Sequence, residues 1–129
     1  MQTKRTVKTP GPDHPITIEP SLERIVVSLS GRTIADTKNA LTLREADYGP
    51  VYYLPLGDVD TSLLERTEHS TYCPYKGDAS YYSIVAGDAR SENAVWTYES
   101  PYEAVSQIKG RVSFYPDRVD AIEVLKINP

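Results

Sequence analysis

The sequence predicts a mainly β fold, a small antiparallel β-barrel or sandwich with two short helices. Short segments rich in alternating apolar and β-branched residues recur along the chain. Glycine, proline and aspartate separate these segments at close intervals, as they do at turns. The segments follow one another without the long helical crossovers that a parallel sheet requires. The length of 129 residues fits a single β domain, residues 16–129, preceded by a flexible N-terminal arm at residues 1–15.

The strands are predicted from alternation and from the turns that bound them. In residues 24–29, Ile25, Val27 and Leu29 share one face, and Gly31 follows in a predicted tight turn. Residues 79–85 alternate most strongly, and residues 87–92 are predicted to be a polar loop. The eight predicted strands are 24–29, 33–36, 41–43, 51–54, 79–85, 94–98, 112–115 and 121–125.

Two short helices are predicted from their capping residues. Asp58 is placed as the N-cap of the first helix, before a short apolar stripe. Ser100 is placed as the cap of the second, with Pro101 at the first helical position. Glu103 would complete a capping box with Ser100.

Composition and charge narrow the classes of function. The formal net charge is -4, and the arm is basic while the remaining body is acidic. An acidic body argues against a nucleic-acid partner, which would need a basic patch. The longest nearly apolar run is far too short to span a bilayer, and no secretory signal is visible, so we expect a cytoplasmic protein without a membrane partner. We expect a monomer or a weak homodimer.

The stretch 67–82 holds the densest set of reactive side chains. Cys73 is the only cysteine, so it can form neither an internal disulfide nor a Cys-rich zinc site, and we expect no metal and no cofactor. Cys73, Lys76 and His69 are the candidate catalytic residues: a thiol nucleophile, a cationic partner and a proton carrier. The alternatives are a buried hydrophobic cysteine, a solvated turn lysine and a loop histidine.

Five further residues are candidates for the walls of a ligand pocket. Tyrosines cluster in the middle of the chain, and neighbours on a strand face opposite sides, so some rings leave the core. Such rings suit a pocket that stacks a ring or binds a cation, and the alternative is ordinary core packing. The candidate ligand-binding residues are Glu45, Tyr52, Thr71, Tyr81 and Trp96.

Asp58 and Asp60 form a D-x-D pair, which can hold Mg²⁺ in phosphoryl-transfer enzymes. Both aspartates lie in the first turn of the first predicted helix, so helix capping explains them as well. We favour capping.

Several motifs together resemble a known family. They are I-A-D at 34–36, P-V-Y-Y-L-P at 50–55, T-Y-C-P-Y-K-G-D-A-S-Y-Y at 71–82, A-V-W-T-Y at 94–98, I-K-G at 108–110 and F-Y-P-D-R-V-D at 114–120. The chain resembles the domain-of-unknown-function family four-two-seven, sometimes labelled nucleotidyltransferase-like. The resemblance covers residues 24–120 and implies an antiparallel fold of the β-tent (Mss4-like) type.

Relatives of the β-tent fold offer two precedents for a cysteine. Some hold zinc with four cysteines, which a chain with one cysteine cannot do. Others reduce methionine sulfoxide with a cysteine, which draws attention to Cys73 only at the level of fold.

Three hypotheses of function follow. The first is a domain that binds, and as an option transforms, a small polar molecule in a pocket around Thr71, Cys73 and Lys76. The second is a non-catalytic structural or interaction domain in which the same motif forms a corner. The third is Mg²⁺-dependent nucleotide transfer at Asp58 and Asp60.

Overall fold

A computed structural model describes residues 5–127 and contains ten β-strands. Strand lengths run from three to ten residues, and every pairing is antiparallel. The strands are β1 (Ile16–Pro20), β2 (Glu23–Leu29), β3 (Arg32–Thr37), β4 (Leu41–Glu45), β5 (Val51–Tyr53), β6 (Leu64–Cys73), β7 (Gly77–Ala86), β8 (Ala89–Thr97), β9 (Val112–Phe114) and β10 (Ala121–Lys126). The predicted mainly β class is therefore confirmed.

The strands form three antiparallel sheets, ordered β1-β4-β5, β10-β2-β3 and β6-β7-β8-β9. A bridge between Leu54 and Val112, with N–H···O distances of 2.8 and 2.9 Å, joins the first sheet to β9. The strand order thus runs β6-β7-β8-β9-β5-β4-β1. No ladder among residues 5–127 joins β1 to β6, so the fold is an open, sandwich-like arrangement and not a closed barrel.

Two apolar cores lie on opposite faces of the four-stranded sheet. One face packs Val95 and Phe114 against Ile25 and Val27 of β2. The other face packs its tyrosines against Leu43 of β4 and the neighbouring strands. Alternation along the strands produces this division, because successive side chains point to opposite faces.

The sequence missed two strands and shortened a third. β6 is largely exposed and reads L-E-R-T-E-H-S-T-Y-C, so it lacks the alternation that marks a half-buried strand. β1 lies just after a proline-rich segment, and residues 16–20 were not predicted to be a strand. β8 begins at Ala89, where residues 87–92 were predicted to be a loop.

The predicted helices are single 3₁₀ turns or pairs of them. Leu56–Asp58 and Thr61–Leu63 lie at the first predicted helix, and Glu103–Ile108 lies at the second. A further 3₁₀ turn, Pro116–Arg118, lies where no helix was predicted. The prediction that Asp58 is an N-cap is wrong, because Asp60 caps the turn at Thr61 by accepting from the Ser62 N–H. The predicted Ser100 cap is also wrong, since Tyr102 is the N-cap and makes no side-chain capping bond.

Residues 5–14 lie along the β6–β7 hairpin. The Lys8 N–H donates to the Pro74 carbonyl at 2.9 Å, and the Tyr72 hydroxyl donates to the Thr6 carbonyl at 2.7 Å. The predicted flexible arm also includes residues 1–4, which lie outside the described residues, and its flexibility stays a prediction. Within residues 5–127 no helix has both the length and the apolar character to cross a membrane.

Candidate functional site

The T-Y-C-P-Y-K-G motif forms the turn between β6 and β7. The Lys76 N–H donates to the Cys73 carbonyl at 3.2 Å, which closes the turn. Gly77 has a φ of +108°, a region that residues with a Cβ rarely adopt. The Tyr102 N–H donates to the Lys76 carbonyl at 3.0 Å, so the turn is also fixed to the segment before the Glu103–Ile108 turns. The backbone therefore holds Cys73 and Lys76 in one defined geometry.

A nearly buried ion pair joins this turn to the end of β4. Lys76 Nζ lies 2.5 Å from Glu45 Oε1, and the two side chains are 10% and 15% exposed. The same ammonium lies 3.7 Å from Cys73 Sγ. Burial alone would raise the pKa of Glu45, but hydrogen bonds from Lys76 and His14 outweigh it and hold the pKa below its usual value. The carboxylate is therefore ionised at neutral pH.

His14 completes this group, and it was not among the site residues predicted from the sequence. Its Nε2 lies 2.7 Å from Glu45 Oε2 and donates to that carboxylate oxygen. Its ring stacks on Tyr75 with centroids 4.0 Å apart and planes inclined by 7°. His14 could have been placed near Glu45 if β1 had been predicted and paired with β4, because that pairing sets Ile16 opposite Glu45. Since β1 was missed, His14 stayed in the arm. We call Glu45, Lys76, Cys73 and His14 the polar cluster.

A second group of predicted residues forms a chain of hydroxyls. Thr71 Oγ1 lies 2.9 Å from the Tyr81 hydroxyl, which lies 3.1 Å from the Tyr115 hydroxyl. Burial and the bond to Tyr81 raise the pKa of Tyr115 to about 12, so the phenol is neutral at physiological pH. His69 sets the edge of its ring against Tyr81, with centroids 4.5 Å apart. His69 therefore contacts the hydroxyl chain and forms no hydrogen bond with Cys73.

Trp96 connects the hydroxyl chain to the core behind the polar cluster. Its ring lies 4.5 Å from that of Tyr115, and its Nε1 donates to the Tyr53 hydroxyl at 3.4 Å. Cys73 packs against the same core cluster as Tyr53 and Trp96. Burial raises the pKa of Tyr53, so its hydroxyl stays protonated. The predicted residues Cys73 and Trp96 thus share one aromatic core face.

Tyr52 lies elsewhere, in an apolar groove of about 280 Å³. The groove runs between β2 and β10 on one side and β5, β8 and β9 on the other. Trp96 is the one candidate residue that also lines this groove. The structure therefore separates Tyr52 from the motif with which the sequence grouped it.

The two aspartates of the D-x-D pair have different partners. Asp58 Oδ2 accepts from the Thr37 hydroxyl at 2.7 Å, and Asp60 caps the following turn. Within residues 5–127 there is no group of three or more His, Cys, Asp or Glu side chains that could hold a metal ion. These contacts support structural roles for Asp58 and Asp60.

Comparison with known proteins identifies a family. The model described as "Domain of unknown function (DUF427)", which carries the name NTP_transf_9, matches residues 17–125. The match spans all ten strands except the first residue of β1 and the last of β10, and the chain belongs to this family. No curated protein matches the chain at a significant level.

Proposed function

Starting from membership of the DUF427 family, we propose that this domain binds a small polar molecule at the polar cluster. The observation that carries the proposal is the ion pair between Lys76 and Glu45, with the Cys73 sulfur 3.7 Å from the ammonium nitrogen. A buried ion pair adds little to stability, because desolvation of both charges offsets their attraction. Apolar side chains of similar size would hold the two elements together equally well. A nearly buried pair of charges at this place therefore favours recognition of a polar ligand.

The cluster offers such a ligand three kinds of contact. The Lys76 ammonium has three N–H donors, of which two point to Glu45 and Cys73. Among residues 5–127 the third has no hydrogen-bond partner, and we expect it to serve an oxygen or nitrogen of a ligand. Cys73 is half-buried and adds a polarisable sulfur that can act as a nucleophile when deprotonated. Reaction at Cys73 is an extension of the proposal, and binding is its core.

The aromatic hydroxyl groups lie in the same core cluster as Cys73, and we expect them to line the inner wall of the site. Tyr81 and Tyr115 present linked hydroxyls, and Thr71 extends the chain to the exposed side of β6. Such hydroxyls both donate and accept, so they suit a ligand with hydroxyl or carbonyl groups. His69 lies against Tyr81 through a ring contact, with centroids 4.5 Å apart.

A thermal-shift screen of small polar molecules tests the proposal. The comparison variant is Glu45→Gln with Lys76→Met, which removes both charges together. The matched control is Arg24→Gln with Asp36→Asn, which removes an exposed ion pair on the β10-β2-β3 sheet. We expect at least one compound to stabilise the wild type and the control but not the Glu45/Lys76 variant. A compound that stabilises all three proteins equally binds outside the cluster.

Alkylation of Cys73 by iodoacetamide provides the second test. We expect labelling of the native protein, and we expect a compound from the screen to slow it. The matched variant is Lys76→Met, with the exposed Lys38→Met as its control. No labelling until the protein is unfolded would contradict an open site and would favour the second function.

The second candidate function is a structural or interaction domain with the motif as a corner. The specific observation in its favour is the double fixation of the turn, through the Tyr102 N–H to Lys76 and through the Lys8 N–H to Pro74. This function predicts that Cys73→Ser lowers the stability by about 1–3 kcal/mol, because a serine hydroxyl facing the aromatic core is poorly satisfied. An unchanged melting temperature would count against it.

A further inference from the structure

His14 makes two contacts that a bound ligand would make. Its ring lies flat on Tyr75, with centroids 4.0 Å apart, and its Nε2 donates to Glu45 Oε2 at 2.7 Å. A flat aromatic face together with a carboxylate acceptor is the arrangement by which proteins bind planar rings that carry an N–H donor. The chain's own imidazole therefore occupies a position shaped for such a ring.

We propose that His14 is a tethered occupant of a binding site for a planar nitrogen heterocycle with an N–H donor, and that such a ligand displaces His14 and the arm. The inference rests on the proposed function, and it names the ligand class and the regulation of the same site. Tyr75 is the stacking surface, Glu45 Oε2 is the acceptor, and Lys76 holds Glu45 in place through Oε1.

The chemistry of Glu45 restricts the ligand. Because both carboxylate oxygens accept hydrogen bonds, the group that replaces His14 must donate one. An anionic group in the place of the His14 ring would have no proton to donate, so it would face the carboxylate without a hydrogen bond. A neutral or cationic ring with an N–H meets the requirement, and its planar shape follows from the parallel stacking on Tyr75.

The arm is held by contacts that open readily. Arg5 and Asp78 form an ion pair in which both side chains are more than half exposed, and such pairs contribute little. Two hydrogen bonds, at the Thr6 carbonyl and the Lys8 amide, also attach residues 5–9. Exposed cation–π contacts of Arg5 with Tyr72 and of Lys8 with Tyr75 add to them. Val7 is 59% exposed, so the arm buries little apolar surface there. Segments with this character open locally at low free-energy cost.

Tethering explains how a weakly held histidine still occupies the site. A side chain linked by a short segment acts at an effective concentration on the order of millimolar or above. A free ring must compete with it, so removal of the His14 ring is expected to raise the affinity for a free ring. The site therefore holds either the His14 ring or a free ring, but not both.

Imidazole titration of a His14→Ala variant tests the inference. We expect calorimetry to show imidazole binding about tenfold tighter than in the wild type, since the competitor is gone. The control is Leu22→Ala, which removes a side chain that is 84% exposed and has no place in the proposed site. We expect this control to bind imidazole as the wild type does. Adding Glu45→Gln to His14→Ala is expected to abolish the gain.

A measurement on the wild type covers the case in which His14→Ala does not fold. The Lys8 amide is bonded to the Pro74 carbonyl, so its hydrogen exchange reports release of the arm. We expect imidazole to accelerate exchange at Lys8, and we expect pyrrolidine, a saturated ring of similar size that carries an N–H donor but has no aromatic face, to leave it unchanged. Unchanged exchange with saturating imidazole would overturn the inference.

The outcomes separate this inference from the proposed function. If His14→Ala folds and takes up no imidazole while screened compounds still depend on Glu45 and Lys76, the tethered-occupant inference is overturned and the binding site stands. If the same variant binds imidazole with equal affinity in the presence of Glu45→Gln, binding occurs elsewhere and the inference is again overturned. If Cys73 also resists labelling and no compound depends on Lys76, both proposals fail together.

Discussion

Glu45 and Lys76 are 31 positions apart in the sequence, and their side chains bond at 2.5 Å across the open side of the fold. Glu45 ends β4, and Lys76 lies in the turn between β6 and β7. In the strand order β6-β7-β8-β9-β5-β4-β1, these two elements lie toward opposite ends. The ion pair therefore joins two parts of the fold that no ladder among residues 5–127 pairs directly.

The first prediction concerns the energetics of that pair. Lys76→Met leaves a nearly buried carboxylate whose remaining side-chain hydrogen bond is to His14, so we expect a loss of about 3 kcal/mol of unfolding free energy. Glu45→Gln with Lys76→Met removes both charges and should recover most of that loss. The measurement is urea unfolding, and the control is the exposed Lys38→Met. A double variant as unstable as Lys76→Met would contradict an electrostatic origin.

The second prediction concerns acid stability. The pKa of Glu45 is lower in the folded protein than its ordinary value of 4.5, because Lys76 and His14 donate to the carboxylate. The ionised form thus stabilises the fold above about pH 4.5, and this contribution is lost as the pH falls through the lowered pKa. Glu45→Gln should flatten the acid limb of a plot of stability against pH. Glu68→Gln, at an exposed position on β6, should retain the wild-type slope.

The sequence predicted the class of the fold and the eight strands that show apolar alternation. It did not predict β6, because an exposed edge strand of polar residues carries no such signal. Because β6 was missed, the length of the hairpin that contains Cys73 and Lys76 was not predicted. The same kind of omission at β1 left His14 in the arm, although pairing with β4 places it beside Glu45. Contacts between distant strands depend on register, which local patterns do not fix.

The structure brings some of the candidate residues together and separates others. Glu45 and Lys76 lie together with Cys73, as the first hypothesis requires, but their proximity depends on contacts between strands that are distant in the sequence. Tyr52 was grouped with the motif because of its ring, and it lies in the apolar groove instead. Its neighbour Tyr53 faces the opposite core, since adjacent strand residues point to opposite faces.

The third prediction concerns the backbone of the motif. Gly77 has a φ of +108°, and a Cβ there would meet the Ser100 carbonyl at 3.5 Å, an ordinary contact distance. The cost of Gly77→Ala is therefore conformational, and we expect a loss of about 1–3 kcal/mol. Thermal unfolding measures it. Gly57→Ala is the control, because that glycine has no positive φ and its Cβ would meet nothing within 4 Å. Equal effects of the two substitutions would contradict the argument.

The fourth prediction uses Trp96, the only tryptophan, as a reporter of the apolar groove. Val124 lines the groove and Leu125 does not, although both lie on β10 and each is 39% exposed. Val124→Phe places a larger ring in the groove and excludes water from Trp96. We therefore expect its fluorescence emission to move to shorter wavelength.

Leu125→Phe is the matched control for that substitution. Its side chain points to the other face of the same strand, because alternate residues of a strand face opposite sides. We expect it to leave the emission of Trp96 unchanged. A shift of equal size in both variants would mean that the substitution acts through β10 as a whole, since a phenylalanine that fills the groove can affect the indole only from position 124.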